Sequence, residues 1–328
     1  MLSPLFSTLL AAMPEGTSMR KHGCTSIPPK LTLRSKPMKK RLLCLLTALL
    51  LVGGCTSQTP PAKDPNSAAD APLSAQVPIL LYHAFCEDPA DVSSYTWVST
   101  SRLEEQLSAL QTAGYQSVTL SQLVDFVQTG TPLPEKPVLL TADDGYLNNL
   151  ALAAPLLEQY GFSLSIAVIG VSEGKDSYKD TGTAMIPHFS LQQAQPWVEK
   201  GVIELFSHTY DMHQGPLDPA DHRESVLQME GESDADYAAA LRQDFSRALA
   251  HLAGLSAPAL AYPHGMYSEQ SEAVAHSCGF AVTLSTQTGG NTVTFGDPES
   301  LYLLHRNSVT QDITGRKLVA LLDKLTTT

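Results

Sequence analysis

From Val77 onward, short apolar runs alternate with longer segments in which apolar residues recur every three or four positions. The short runs are typical of buried strands and fall at residues 78–82, 117–120, 137–141, 163–169, 202–206, 259–262 and 301–304. The longer segments predict helices at residues 101–113, 147–160, 191–200, 237–252 and 315–325. Repeated strand-then-helix units favour an α/β fold with a mostly parallel sheet covered by helices, either open or closed into a barrel.

The start of the chain follows a different pattern. The basic stretch M-K-K-R at residues 38–41 precedes an apolar run of 11 residues at 42–52. This order is typical of a signal peptide, and the run is too short to span a bilayer. It ends V-G-G-C, which resembles the cleavage site of bacterial lipoproteins, where the cysteine becomes the lipidated N-terminus. The alternative is an ordinary signal peptide in which Cys55 is incidental.

These patterns divide the chain into four parts. We expect residues 1–37 to be a non-native upstream extension or disordered, because the signal sequence starts at Met38. Residues 38–54 form the signal peptide, and residues 55–76 comprise the lipidated Cys55 and a flexible, Pro-rich linker. Residues 77–328 form a single catalytic domain. The protein is therefore expected to be exported and anchored to the outer face of a bacterial membrane.

Charge and cysteine content narrow the possible partners. The first 54 residues hold eight of the 21 basic and one of the 33 acidic side chains, which leaves a net charge of −19 on the rest. A body this acidic is a poor match for nucleic acid, and we expect a monomer without a nucleic-acid partner. Cys86 and Cys278 are more consistent with two buried free thiols than with a disulfide. The absence of a C-x-x-C motif from the sequence argues against a thiolate metal site.

Histidine and aspartate side chains follow five of the predicted strands. They are His83, the pair Asp143 and Asp144, the pair His208 and His213, His264, and His305. In parallel α/β folds the carboxyl ends of the strands share one face, and functional sites are built there. The pattern therefore predicts one polar site assembled from distant parts of the chain.

Two histidines and one aspartate form a common ligand set for a divalent metal. A cation also explains why Asp143 and Asp144 are adjacent, because it holds one carboxylate as a ligand while the other works beside it as a base. His208 and His213 would diverge by about 140° on a helix and face opposite sides of a strand. We therefore expect His208 to end a strand and His213 to return from the long polar segment that follows.

Three motifs resemble the polysaccharide deacetylase family, also called the NodB-homology or carbohydrate esterase 4 family. T-A-D-D-G-Y at 141–146 resembles the family's T-F-D-D-G, and H-T-Y-D-M-H at 208–213 resembles its H-[ST]-x-x-H. A-Y-P-H-G at 261–265 is similar to its R-x-P-[YF]-G, and L-L-Y-H at 80–83 also recurs in members. The resemblance covers about residues 77–325 and implies a distorted (β/α)₇ barrel.

The resemblance also implies a role for each matching residue. Asp143 would be the general base, Asp144, His208 and His213 the metal ligands, Tyr146 the donor of a backbone N–H to the oxyanion, and His83, Pro263, His264 and Gly265 parts of the substrate groove. The reaction implied is metal-dependent hydrolysis of N-acetyl groups on a GlcNAc-type polymer. The metal implied is one divalent ion, typically zinc, although this ligand set also suits Co, Ni or Fe.

The chain departs from the family pattern in ways that affect these roles. Ala142 replaces the phenylalanine of the first motif, and the second motif has one extra residue. The longer H-T-x-x-x-H form resembles the branch that deacetylates exported poly-β-1,6-GlcNAc. Ala261 replaces the arginine that orients the base, which leaves the orientation of Asp143 open. His305 loosely matches the family's L-x-H motif and is a candidate general acid, or else packs against Arg306 without a chemical role.

Two other functions fit the same motifs. One is a lipid-anchored carbohydrate-binding protein with impaired catalysis, and the other is an O-acetyl esterase. The presence of both Asp143 and Asp144 favours the enzyme, because a binding module needs no ionised carboxylate beside a metal ligand. The choice among poly-GlcNAc, peptidoglycan and other GlcNAc polymers is open from the sequence.

Overall fold

In the computed structural model, the described residues are 73–88, 96–215 and 223–326, and all belong to one compact unit. The predicted upstream extension, signal peptide, Cys55 and most of the linker lie outside these residues. The strands are β1 (Ser74–Gln76), β2 (Ile79–Tyr82), β3 (Ala84–Cys86), β4 (Trp97–Ser99), β5 (Gln116–Val118), β6 (Pro137–Ala142), β7 (Leu164–Val168), β8 (Ile203–Ser207), β9 (Ser256–Ala261), β10 (Val282–Leu284), β11 (Thr292–Thr294) and β12 (Asn307–Ser308). The α-helices are α1 (Thr100–Thr112), α2 (Leu120–Thr129), α3 (Ala154–Tyr160), α4 (Leu191–Glu199), α5 (Asp234–His251), α6 (Glu269–Cys278) and α7 (Gly315–Thr326). In this part of the chain no helix combines the length and apolar character needed to cross a bilayer.

The main sheet is parallel and strongly curled. Its strand order is β10-β9-β8-β7-β6-β2-β12, and β5 also pairs with β6. The segment that leads into β12 runs parallel to the end of β10, where the Ser285 N–H donates to the Leu304 carbonyl (2.9 Å) and the Leu304 N–H to the Thr283 carbonyl (2.9 Å). The sheet is therefore a half-barrel bridged by this segment, which confirms the prediction of a distorted (β/α)₇ barrel.

The strands β2, β6 and β7 are buried on both faces, as expected for a parallel sheet covered by helices. All six residues of β6 are buried. Alternate residues enter different clusters: Leu140 packs with side chains of α1, α3 and α7, whereas Leu139 packs with α2 and the strands β9 and β10. The carboxyl ends of these strands are thus held rigidly at one edge.

Helices α2 and α4 begin at capping boxes, Thr119 with Gln122 and Ser190 with Gln193. In each box the two residues satisfy one another's backbone N–H groups at the start of the helix. The first box explains why the predicted strand 117–120 ends early, at Val118.

Three other predicted boundaries need correction. Residues 301–304 do not form a strand, since a 3₁₀ helix covers Pro298–Leu301 and the strand comes later, at β12. The expected linker extends too far, because Ser74–Gln76 pairs with β11. The predicted helix at 147–160 contains a π-helical turn at Asn149–Ala153, which follows the Asp143–Asp144 pair in the chain after four residues. Such turns are frequent at functional sites.

Candidate metal and catalytic site

Except for His305, the polar residues predicted at the strand ends meet in one cavity of about 440 Å³ at the carboxyl edge of the sheet. His83 follows β2, Asp143 and Asp144 follow β6, His208 follows β8, and His264 comes shortly after β9. These residues line the cavity together with His213, Thr286 and Thr310, among others. The prediction that strands distant in sequence build one site is thereby met.

A left-handed turn after β6 separates the two adjacent carboxylates. Asp144 has φ 75° and Gly145 has φ 80°, so the backbone reverses there instead of continuing the strand. Aspartate tolerates this conformation better than most residues, although a non-glycine residue there costs free energy. As a result Asp143 and Asp144 lie in the same cavity although they are neighbours, which a straight strand would prevent.

Asp144, His208 and His213 form a compact ligand cluster. The Nε2 atom of His213 lies 3.1 Å from Asp144 Oδ1, and that of His208 lies 3.7 Å from the same oxygen. One donor atom from each residue lies within 4.8 Å of the others. Two imidazoles and one carboxylate with an open side fit a single divalent cation.

Hydrogen bonds orient this cluster. His208 Nδ1 lies 2.9 Å from the Ala261 carbonyl, which can only accept, so Nδ1 carries the proton and Nε2 faces the carboxylates. Burial lowers the pKa of His208 to about 4, which keeps the imidazole neutral at physiological pH. A neutral imidazole is the form that binds a metal.

Asp144 and His213 stabilise each other's charge. Burial opposes ionisation of both groups, but their mutual hydrogen bond and charge prevail, so the pKa of Asp144 is lowered and that of His213 is raised. The site therefore holds an ionised carboxylate, as a metal ligand requires, and a cation bound there would take the place of the His213 proton.

Arg306 forms a bidentate ion pair with Asp143. Its Nη1 and Nη2 atoms donate to the two carboxylate oxygens at 2.6 and 2.9 Å, and its Nε donates to the Ser285 carbonyl at 2.8 Å. Burial alone would raise the pKa of Asp143, but the charge and hydrogen bonds of Arg306 help to hold it below its ordinary value. Arg306 is fully buried and therefore supplies the orientation that Ala261 cannot.

Sequence reasoning did not assign this role to Arg306. The residue lies 163 positions from Asp143, and no motif marks it. The available signal for Arg306 in the sequence was its position directly after the candidate residue His305, on the segment that leads into β12.

Tyr146 lies beside Asp144 and His213 at the edge of the ligand cluster. A short antiparallel bridge pairs it with His188, and its hydrogen bonds run from the Leu147 N–H to the Pro187 carbonyl and from the Phe189 N–H to the Gly145 carbonyl. This ladder does not use the Tyr146 N–H. Burial, followed by the charge of Asp144, raises the pKa of the Tyr146 hydroxyl, so the phenol stays neutral.

The predicted groove residues Pro263, His264 and Gly265 form a tight 3₁₀ turn. His264 has φ 57°, and its ring centroid lies 4.7 Å from that of His213. A Cβ atom at Gly265 would lie 1.9 Å from Thr286 Oγ1, so only glycine fits. The turn therefore brings His264 to the cavity wall beside the ligand cluster.

His83 lies in the cavity, as expected of a groove residue, whereas the structure places His305, the candidate general acid, elsewhere. His305 is not among the residues that line the cavity, and its Nδ1 atom packs so closely over Gly289 that a Cβ there would lie 2.3 Å away. His83 lines the cavity instead, and its charge contributes to lowering the pKa of both Asp143 and Asp144. Of the two, His83 is the one that lines the cavity.

A curled parallel barrel with an oriented carboxylate beside a His₂Asp cluster defines a hydrolase with a candidate metal site. Residues 130–283 match the family described as Polysaccharide deacetylase. The chain therefore carries a polysaccharide deacetylase domain, as its motifs predicted.

Relatives and solved structures agree with this assignment. The chain is 29% identical, over 185 residues, to the poly-beta-1,6-N-acetyl-D-glucosamine N-deacetylase of Escherichia coli K12, and the match covers 53% of this chain but only 28% of that relative. A de-N-acetylase structure from Aggregatibacter actinomycetemcomitans has a TM-score of 0.63 at 22% identity, with 75% of this chain and 100% of that chain covered. IcaB from Ammonifex degensii gives 0.60 at 24% identity, with 75% and 97% covered. The two structures establish the shared fold.

Proposed function

We propose that this protein is a metal-dependent hydrolase that removes N-acetyl groups from a GlcNAc-containing polysaccharide. The observation that carries the proposal is the placement of Asp143, fixed by Arg306, beside the Asp144–His208–His213 cluster. A carbohydrate-binding protein would need no such arrangement. The contact of Arg306 with Asp143 supports catalysis in spite of the alanine at position 261, because it supplies an arginine that can orient the base.

The proposed reaction assigns one task to each group in the cavity. Asp143 accepts a proton from the attacking water, and its bonds to Arg306 fix which way its oxygens face. The Tyr146 N–H donates to the oxyanion that forms on the acetyl carbonyl. A divalent cation held by Asp144, His208 and His213 would polarise that carbonyl and stabilise the developing charge. Collapse of the tetrahedral intermediate releases acetate and a free amine.

The leaving amine needs a proton donor, and we assign this role to His83. It lies in the same cavity as Asp143, whereas His305 does not line that cavity. His264 is the other cavity histidine outside the ligand cluster, and it is exposed at the wall. We keep His264 as a groove residue, with His83 as the general acid.

We propose poly-β-1,6-GlcNAc as the substrate among GlcNAc polymers. The support is the name of the Escherichia coli relative and the longer H-T-x-x-x-H spacing between the histidine ligands. An O-acetyl ester could react through the same groups, so the comparison of amide and ester substrates belongs in the test.

We further propose that the protein acts at the cell surface as a lipoprotein anchored through Cys55. The support is the order of the basic stretch, the apolar run of residues 42–52 and the V-G-G-C sequence. These residues lie outside the described part of the chain. Metabolic labelling with a fatty acid, compared between the natural chain and Cys55→Ala, tests the anchor, and equal labelling of both would reject it.

The central experiment measures acetate release from β-1,6-linked GlcNAc oligomers, chito-oligomers, peptidoglycan and an O-acetylated glycan under the same conditions. The purified protein should bind about one divalent ion and deacetylate the first substrate fastest. Asp143→Asn should abolish release with metal binding retained, whereas His208→Ala should remove the metal. Wild-type rates in the Asp143→Asn protein would refute the proposed mechanism.

A further inference from the structure

The five-residue separation of His208 and His213 poses a geometric problem. His208 is buried at the end of β8 and faces Asp144 Oδ1. The His213 side chain is 27% exposed and reaches the same oxygen from the loop that follows β8. Thr209, directly after His208, has φ 69°, which reverses the chain away from the strand direction. Without further support, a loop of this kind would leave the position of His213 poorly defined.

The backbone N–H groups of the four intervening residues are all bonded. The Thr209 N–H donates to Ser207 Oγ at 3.0 Å, and the Met212 N–H donates to Thr209 Oγ1 at 3.1 Å. The other two come from Tyr210 and Asp211 and converge on the carboxylate of Asp244, at 2.8 and 2.7 Å, one on each oxygen. Asp244 is therefore the one side chain from a distant element that bonds this loop's N–H groups.

Asp244 lies on the buried face of α5 with 8% of its surface exposed. Burial raises its pKa to about 6, so the group is ionised at neutral pH, and both oxygens are then free to accept. An amide of the same shape has only one acceptor oxygen. The structure thus uses the property that distinguishes aspartate from asparagine.

A second contact from α5 fixes the same loop. The Arg247 guanidinium lies 3.7 Å from the ring centroid of Tyr210 and donates to its hydroxyl at 3.0 Å. Gly170, two residues after β7, also lies close to this ring, since a Cβ atom there would lie 2.5 Å from it. The Tyr210 side chain therefore packs against both Arg247 and the backbone that follows β7.

We propose that Asp244 is a positioning residue for the metal ligand His213, and that it allows the lengthened loop to return this histidine to the site. Its two hydrogen bonds fix the middle of the loop, so that few backbone torsions remain free between Asp211 and His213. The proposal rests on the metal site of the proposed function, but it concerns metal affinity, which can be measured without any glycan.

The test compares Asp244→Asn with the unsubstituted protein and with Asp125→Asn. Asp125 is an exposed helical residue on α2, so the control makes the same chemical change far from the site. Zn²⁺ affinity is measured by calorimetry in the metal-free protein, and Co²⁺ is used to record the visible spectrum. Asp244→Asn should bind Zn²⁺ about 10- to 100-fold more weakly, the range typical for loss of an outer hydrogen-bond partner of a metal ligand.

The Co²⁺ spectrum separates positioning from a general loss of stability. Weakened coordination by His213 should change the visible bands of the folded Asp244→Asn protein, and Asp125→Asn should match the parent. If Asp244→Asn fails to fold, Arg247→Met gives a second measurement, because it removes the contact with Tyr210 and should weaken Zn²⁺ binding by a smaller factor. The proposal would be overturned if Asp244→Asn had the Zn²⁺ affinity and the Co²⁺ bands of the parent protein. If Asp244→Asn does not fold, the same result for Arg247→Met would overturn it.

The two proposals can fail separately. A protein that binds Zn²⁺ but releases no acetate from any glycan would reject the proposed function, and a weaker Zn²⁺ affinity of Asp244→Asn would still support the role of Asp244. Normal acetate release and normal Zn²⁺ affinity in Asp244→Asn would reject the role of Asp244 and leave the enzyme function intact.

Discussion

Asp143 and Asp144 are neighbours in the chain, yet each carboxylate has its own partners. Arg306 grips both oxygens of Asp143, whereas Asp144 faces His208 and His213. The turn with positive φ at Asp144 separates them, so the repulsion between adjacent charges is offset by two different sets of positive groups. This division of roles is what allows one carboxylate to bind a cation while the other remains a base.

Replacing Arg306 with lysine tests how far catalysis depends on the bidentate ion pair between Arg306 and Asp143. Lysine keeps the positive charge but cannot bond both oxygens of Asp143 and the Ser285 carbonyl at once. We expect acetate release to fall on the order of 10²-fold, as for a displaced catalytic group. Loss of a charged hydrogen bond should also lower the free energy of unfolding by about 2 kcal/mol.

The control for this prediction is Arg316→Lys, the same change on the exposed face of α7. It should leave both quantities near the values of the parent protein. Steady-state kinetics and denaturant unfolding on the three proteins suffice. Equal kcat values for Arg306→Lys and Arg316→Lys would mean that a positive charge is enough to orient Asp143 and that bidentate hydrogen bonding is not needed.

At the same residue scale, the sequence predicted the ligand types well and their supports poorly. Asp144, His208 and His213 could be found because each stands at a strand end and the chemistry of metal ligands restricts the choice. Arg306 and Asp244 could not, because each acts on a partner brought close only by the curling of the sheet or by helix packing. Support of this kind leaves no local pattern in the sequence.

At the scale of elements, the turns at the strand ends determine the shape of the site. Gly265 follows β9 with φ 70°, and its backbone contacts Thr286 at the cavity wall. Gly254 has φ 82° as well, but no atom lies within 4 Å of where its Cβ would be. Substitutions at these two glycines therefore distinguish two contributions to the free energy of unfolding, the strain of a positive φ and the collision of a new Cβ atom with its neighbours.

Gly265→Ala should destabilise the protein more than Gly254→Ala does. Both substitutions place an L-residue in the left-handed region, at about 1–2 kcal/mol. Gly265→Ala adds a collision with Thr286, which brings roughly 1–3 kcal/mol more. Thermal and urea unfolding measure the difference, and equal destabilisation by the two variants would contradict the packing described for the turn.

The elements themselves were predicted with uneven success. Strands β6 and β8 were predicted correctly as short apolar runs, and helix α5 was predicted from apolar residues that recur every three or four positions. The strand predicted at 301–304 was wrong, because its apolar residues are buried by a 3₁₀ turn and a single bridge. Short apolar runs do not distinguish these arrangements, since either one hides Leu301 and Leu304 from water.

At the scale of the whole molecule, the ligand cluster lies where two clefts meet. Asp144 and His213 line both the main cavity and a second cleft of about 190 Å³. The second cleft also presents Tyr178, with 37% of its surface exposed, and the ion pair of Lys179 with Asp211 at 2.8 Å. An aromatic face beside a few polar groups is typical of a site for a ligand with mixed surfaces, such as a sugar.

A polymer whose reacting sugar sits at the cluster would extend into both clefts. Longer oligomers should then react with higher kcat/KM than a single GlcNAc unit, because binding energy from the non-reacting sugars contributes to the transition state. Tyr178→Ala should reduce this gain with chain length by about fivefold, which corresponds to about 1 kcal/mol for one aromatic contact.

Phe295→Ala is the matched control for Tyr178→Ala. Phe295 is also an exposed aromatic residue, 45% accessible, but it packs near Gly130 and lines neither cleft. Acetate release from a series of one to six β-1,6-linked sugars measures the ratio of kcat/KM between long and short substrates in all three proteins. The Phe295 variant should keep the ratio of the parent, and the Tyr178 variant should not. A ratio unchanged by Tyr178→Ala would confine the glycan to the main cavity, because a chain that bypasses the second cleft gains nothing from this ring.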